Sequence, residues 1–171
     1  MLQYRSYLLL PAQRWFVYSS VLVGLIFNLM PHGHFLGFPD FLALVLLFWA
    51  IRESQWIGLL SGFFMGLTMD IHYGSPLGEH ALGYVLMIHG GLFLQKRIGM
   101  FNVWKQTIHV MPLLIGVDII SMFLRYWFFR TPLQMSLITQ GLITGLCWPI
   151  AYIVLLYPQR RAVNKDYTRP L

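Results

Sequence analysis

The chain has 171 residues, of which 57% are hydrophobic and 11% are charged. A soluble domain carries roughly 25% charged residues, so this composition leaves too little polar surface to cover a water-soluble globule. The mean hydropathy of +0.62 agrees, and we expect one all-α integral membrane domain over residues 1–171. The net charge is +6. In a membrane protein, an excess of Lys and Arg usually sets the topology and contacts anionic lipid, so we expect membrane lipid and no nucleic acid among the partners.

Charged residues and turn residues divide the chain into six apolar segments. They predict a bundle of six transmembrane helices at about 15–30, 40–51, 55–69, 76–95, 106–124 and 137–157, followed by a polar, basic and mobile tail at 158–171. The second segment is short for a span, which needs about 20 residues, so a re-entrant piece and five spans are the alternative. With six spans and both termini inside, all Lys and Arg residues other than Arg125 and Arg130 lie on the inner side, as the positive-inside rule requires.

Glycines recur at a spacing of four residues in two of these segments. Gly58, Gly62 and Gly66 form a doubled copy in the third segment, and Gly141 and Gly145 form a single copy in the sixth. Small residues at this spacing let another helix approach closely. We therefore predict that these glycines pack helices together, that the third helix is central, and that its partner lies inside the bundle rather than on another protein.

Four acidic residues fall in the outer half of the predicted bundle: Asp40, Asp70, Glu79 and Asp118. An intramembrane carboxylate such as Asp118 usually faces the bundle interior or a wet cavity. Its residue pattern fits a polar pocket or partner contact and equally a structural hydrogen bond to a neighbouring helix. Asp70 precedes a Gly-Ser-Pro turn, where capping of nearby backbone N–H groups is the favoured interpretation and a functional contact is the alternative.

Motifs of known catalytic sites are absent from the sequence. "GVD" at 116–118 is not the Gly-x-Gly-Asp motif of intramembrane aspartyl proteases, and no zinc-protease, serine-hydrolase or phosphate-loop motif occurs. Cys147 is the one cysteine and lies in an apolar run, as a packing residue does. We therefore expect no enzyme, no catalytic residues, no cofactor and no metal site.

Residues 62–84, "GFFMGLTMDIHYGSPLGEHALGY", resemble the signature of the bacterial rod shape-determining MreD family. Residues 38–51 resemble the family's second helix with its Pro39–Asp40 entry, "VDII" at 117–120 resembles its fifth-helix acidic site, and "CWPIAYIVL" at 147–155 resembles its last helix. Glu79 fills a variable place in the pattern. The matching signature positions are Gly62, Gly66, Asp70, Gly74, Ser75, Leu77, Gly78, Ala81 and Leu82.

This resemblance implies a non-catalytic scaffold of the cell-elongation machinery in the bacterial inner membrane. Its implied direct partner is MreC, which links it to the MreB filament, the glycosyltransferase RodA and a class B penicillin-binding transpeptidase. It also implies a fold like that of the substrate-binding subunits of energy-coupling-factor transporters, so a vitamin-type transporter subunit is the alternative function. The residues implied for a partner contact or a pocket are Pro39, Asp40, Gly62, Gly66, Asp70, Gly74, Ser75, Leu77, Gly78 and Asp118.

Overall fold

The computed structural model describes residues 7–9, 12–31, 37–130, 132 and 135–162. Over these residues the chain is helical apart from two three-residue strands, which confirms the all-α prediction. The elements in chain order are β1 (Tyr7–Leu9), α1 (Arg14–Leu29), α2 (Phe41–Arg52), α3 (Leu59–Tyr73), α4 (Glu79–Ile98), α5 (Val103–Phe129), α6 (Met135–Leu146), α7 (Trp148–Leu156), a 3₁₀ turn (Tyr157–Gln159) and β2 (Arg160–Ala162).

The two strands join the two ends of the described chain. β1 and β2 pair antiparallel, with Tyr7 opposite Ala162 and Leu9 opposite Arg160. The predicted tail from residue 158 has regular structure as far as residue 162, since 157–159 form a 3₁₀ turn and 160–162 pair with β1. Its mobility stays a prediction. Residues 163–171 lie outside the described residues. Since the strands lie together, α1 begins and α7 ends at the same end of the bundle, as two termini on one side of a membrane require.

Helix α2 lies at the centre of the bundle. Because its residues are apolar all round, it can be buried on every side, and Leu42, Leu46, Leu47 and Trp49 have no exposed surface. The Trp49 indole N–H donates to the Ser20 hydroxyl of α1 at 2.7 Å. The prediction that the third helix is central is wrong: α3 buries one face only and leaves Leu60 and other apolar side chains exposed.

The predicted glycine packing is present between helices of this chain. A Cβ built on Gly66 would lie 2.3 Å from the Cα of Ala81 in α4, and one on Gly62 would lie 2.5 Å from the Ile88 side chain. Gly141 and Gly145 of α6 pack on α5 in the same way.

Gly58 does not belong to this packing row. It is the N-cap residue of α3, and a Cβ there would meet nothing within 4 Å. The row ends with the helix, because Gly58 precedes the first helical turn and faces no neighbouring helix.

The predicted sixth helix is broken into α6 and α7. The two pieces meet at an angle of 42°, with Cys147 between them and Pro149 in the first turn of α7. Proline has no N–H and its ring clashes with the carbonyl four residues earlier, so a continuous helix through this point is disfavoured.

One helix among the described residues, Val103–Phe128, is long and apolar enough to cross a membrane by itself. The bent pair Met135–Leu146 and Trp148–Gln159 is a second if it is counted as one span. The other described helices are shorter or less apolar, so the six-span bundle and the energy-coupling-factor fold stay predictions.

The bundle has two chemically different ends. Asp40, Asp70 and Glu79 lie where α2 begins, α3 ends and α4 begins, and we call this the acidic end. The described Lys and Arg side chains other than Arg125 and Arg130 belong to the opposite ends of the helices: Arg14, Arg52, Lys96, Arg97 and Lys105. There the Arg14 guanidinium lies over the Trp56 ring, 4.2 Å from its centroid. This separation of charge matches the predicted inner and outer sides.

Candidate functional site

Asp70 holds together the turn between α3 and α4. It is fully buried, and its two carboxylate oxygens accept the backbone N–H groups of Gly78 and His80, each at 2.8 Å. The His80 ring nitrogen Nδ1 lies 2.8 Å from the same Oδ1 atom that accepts the His80 amide. Because the first amides of a helix have no partner within it, Asp70 supplies acceptors to the start of α4. These contacts support the capping interpretation.

The backbone of this turn requires its glycines. Gly74 has φ +61° and ends α3, and Gly78 has φ +101° and precedes α4. Residues with a Cβ rarely adopt this left-handed conformation. The Ser75 hydroxyl donates to Asp70 at 3.4 Å, which ties the tip of the turn to the same carboxylate. Leu77 points outward and is 74% exposed, so the turn presents an apolar side chain from a fixed backbone.

Asp40 is the centre of a second polar cluster. Its Oδ1 atom accepts the N–H of Ala43 and the amide of Asn28, and its Oδ2 atom accepts the Tyr84 hydroxyl, all at 2.7 Å. The Asp40 N–H donates to the Thr144 hydroxyl at 2.9 Å. One residue therefore caps α2 and connects it to α1, α4 and α6.

A cavity of about 60 Å³, lined by both polar and apolar residues, lies beside this cluster. Asp40, Glu79 and Asp118 all line it. Asp118, in α5, lies against Gly141 so closely that a Cβ there would come within 2.1 Å of its carboxylate oxygen. Glu79 forms an ion pair with Arg125, which connects the start of α4 to α5.

The structure brings together part of the predicted site. Asp40 and Asp118 both line the cavity. Asp70 is connected to it by His80, which lines the cavity and whose backbone N–H donates to Asp70. Leu77 is on the surface, and Gly62 and Gly66 are in the α3–α4 contact. Pro39 is half-buried just before α2 and is outside the cavity lining.

Sequence reasoning missed the partners of these acids. Asn28, Tyr84, Thr144 and Arg125 hold the carboxylates in place. Asn28 carried a usable signal, since it is an amide in an otherwise apolar segment and is buried. Tyr84 and Thr144 carried none, because both residue types are ordinary in apolar helices.

The size of the cavity limits what it can hold. Sites for drug-sized ligands measure roughly 300–1,000 Å³, whereas about 60 Å³ accommodates a few waters or one small polar group. This cavity of the acidic end is therefore too small for a vitamin.

Comparison with known proteins identifies the family. Residues 11–159 match the family described as rod shape-determining protein MreD. The chain is also 24% identical over 157 residues to the rod shape-determining protein MreD of Haemophilus influenzae, covering 86% of this chain and 93% of that protein. No solved structure matches. The predicted family is confirmed: the chain belongs to the MreD family of rod shape-determining membrane proteins.

Proposed function

We propose that this protein is a non-catalytic scaffold of the cell-elongation machinery, with MreC as its direct partner. The observation that carries the proposal is the family match over residues 11–159. Through MreC the scaffold connects the MreB filament, the glycosyltransferase RodA and a class B penicillin-binding transpeptidase. It acts as a multi-pass protein of the bacterial inner membrane and maintains the rod shape of the cell.

The turn between α3 and α4 is the surface we propose for the MreC contact. Asp70 and the two left-handed glycines fix its backbone. A preorganised surface loses little conformational entropy on binding, which favours affinity. Leu77 and Ile71, which are 74% and 73% exposed, supply apolar area at this turn.

The transporter alternative is less well supported. It needs a ligand pocket at the outer end, and the cavity found there, about 60 Å³, is several times smaller than the roughly 300 Å³ lower limit for such sites. Purification of the chain with a cytoplasmic ATPase pair in place of MreC would favour this alternative.

The decisive experiment compares two leucines of equal exposure. Leu77, in the turn after α3, and Leu60, in α3 itself, are both 74% exposed. Leu60 lies at the start of α3, at the end of the helix far from this turn. Each is changed to serine in the tagged full-length chain, and recovered MreC is measured after gentle purification from native membranes. Burying one leucine contributes about 1.5–3 kcal/mol, so L77S is expected to reduce MreC recovery about tenfold and L60S to leave it unchanged.

Two outcomes contradict different parts of the proposal. Equal MreC recovery from L77S, L60S and the unmodified chain refutes the proposed contact surface. Absence of MreC from the unmodified chain's eluate, at normal expression of both proteins, refutes the scaffold role. Substitution of Asp70 is a poor test of the contact, because it leaves the backbone N–H groups of the turn without an acceptor. Such a change alters stability as well as binding.

A further inference from the structure

Glu79 has a buried carboxylate oxygen without a partner. Its side chain is 7% exposed, and its Oε1 atom is paired with Arg125. Its Oε2 atom has no hydrogen-bond donor among the residues that the structure describes. A buried acceptor left unsatisfied is destabilising, and more so when the group is charged. Such an atom therefore indicates a donor beyond the residues that the structure describes.

Glu79 is not the only acceptor facing this space. It lines the cavity together with Asp118, to which no side chain in the described part of the chain donates, and with Gln140 and Thr144, whose side chains carry both donors and acceptors. Asp40 also lines the cavity, but it already accepts three donors, from Asn28, Ala43 and Tyr84. Glu79 and Asp118 therefore give the cavity two carboxyl groups with acceptor capacity, and Arg125, which is outside the cavity lining, is paired with Glu79.

This arrangement favours a small cationic donor. An excess of carboxylates over cations attracts positive charge, and the low dielectric of a helix bundle strengthens that attraction. A coordinated metal ion is disfavoured, because no three His, Cys, Asp or Glu side chains in the described residues are placed to hold one. A primary ammonium group carries three N–H donors and fits a cavity of about 60 Å³.

We propose that the cavity between α4, α5 and α6 binds one primary ammonium group, with Glu79 and Asp118 as its acceptors. The His80 side chain, which also lines the cavity, is 21% exposed, so the space is reached from the surface. The ammonium group belongs either to a soluble alkylamine or to an aminophospholipid headgroup. Binding here is independent of the scaffold role proposed above.

The test uses methylammonium chloride and the purified full-length chain in phosphatidylcholine nanodiscs. Thermal unfolding is followed at increasing methylammonium concentration, with sodium chloride and tetramethylammonium chloride at equal ionic strength as controls, since neither cation has an N–H donor. We expect a saturable rise of about 5–10 °C at a hundredfold excess over Kd with methylammonium alone. Equal responses to all three salts, or no response, overturn the proposal.

Two variants locate the effect. E79Q removes the acceptor charge and keeps the side-chain shape, and E53Q makes the same change at the opposite end of the bundle, outside this cavity. The methylammonium response is expected to disappear in E79Q and to persist in E53Q. If E79Q does not fold, D118N replaces it, because the Glu79–Arg125 pair stays intact there. A full response in the cavity variant overturns the proposal.

The lipid composition identifies the source of the group. Phosphatidylethanolamine carries a primary ammonium and phosphatidylcholine does not. If the lipid is the source, phosphatidylethanolamine should raise the unfolding midpoint of the unmodified chain more than that of E79Q, and methylammonium should then give no further rise. This result supports the proposal with the lipid as source. An unchanged response there supports it with a soluble amine as source.

Discussion

Replacing Gly66 by alanine is expected to push α3 and α4 apart. The added Cβ would lie 2.3 Å from the Ala81 Cα, 2.5 Å from the Ala81 nitrogen and 2.6 Å from the His80 carbonyl carbon. These are backbone atoms, so no side-chain rotation relieves the clash. Ordinary contact begins at about 3.4 Å, and the two helices must therefore separate by about 1 Å at this level.

Separating α3 from α4 would also lengthen the hydrogen bonds that Asp70 accepts from the start of α4. The His80 amide donates to Asp70 at 2.8 Å, and a displacement of about 1 Å would take it beyond hydrogen-bond distance. Overpacking costs about 1–3 kcal/mol, and loss of a hydrogen bond to a charged group costs about 1.5–3 kcal/mol. Alanine returns about 1 kcal/mol of helix propensity. The expected net loss is about 2–4 kcal/mol.

Thermal unfolding of the purified chain measures this loss. For a chain of this size, 1 kcal/mol shifts the midpoint by about 2–4 °C, so G66A is expected to unfold about 5–15 °C below the unmodified protein. G116A is the matched control, because Gly116 lies inside α5 and a Cβ there would meet nothing within 4 Å. A midpoint for G66A within 2 °C of G116A would refute the close α3–α4 contact.

Two further substitutions test the polar side of the fold. Y84F removes the 2.7 Å hydrogen bond to Asp40 and is expected to destabilise the chain by about 1–3 kcal/mol. Y152F, whose hydroxyl makes no hydrogen bond within the described residues, should leave the unfolding midpoint unchanged, and equal midpoints for both would contradict the role of Asp40. G141A forces the Asp118 carboxylate aside and should cost about 1–3 kcal/mol, but much less when combined with D118A. Additive losses in that double-mutant cycle would show that the two residues are not in contact.

Local patterns in the sequence predicted the approximate positions of most helices and four of the five packing glycines. The second segment is apolar throughout and begins at Asp40, and α2 starts one residue later. The four-residue spacing of Gly62 and Gly66 predicted a close helix contact, which is present. Such features depend on residues within one or two turns of each other, so a single sequence contains the information.

Features that depend on distant segments were not predictable in this way. The break at Cys147 follows from Pro149, but a proline in the first turn of a helix and a proline inside one look alike in sequence. The pairing of Tyr7–Leu9 with Arg160–Ala162 joins the two ends of the chain. The strands are three residues long and carry no alternating pattern that would have revealed them.

The four outer acids have two different roles, and only their contacts separate them. Asp40 and Asp70 each accept at least three donors from this chain, so their charge stabilises the fold and little acceptor capacity remains for a ligand. Glu79 retains an unpaired buried oxygen, and Asp118 faces the same cavity. Asp70 therefore acts within the fold, whereas Glu79 and Asp118 are the two acids whose acceptor capacity remains open to a ligand.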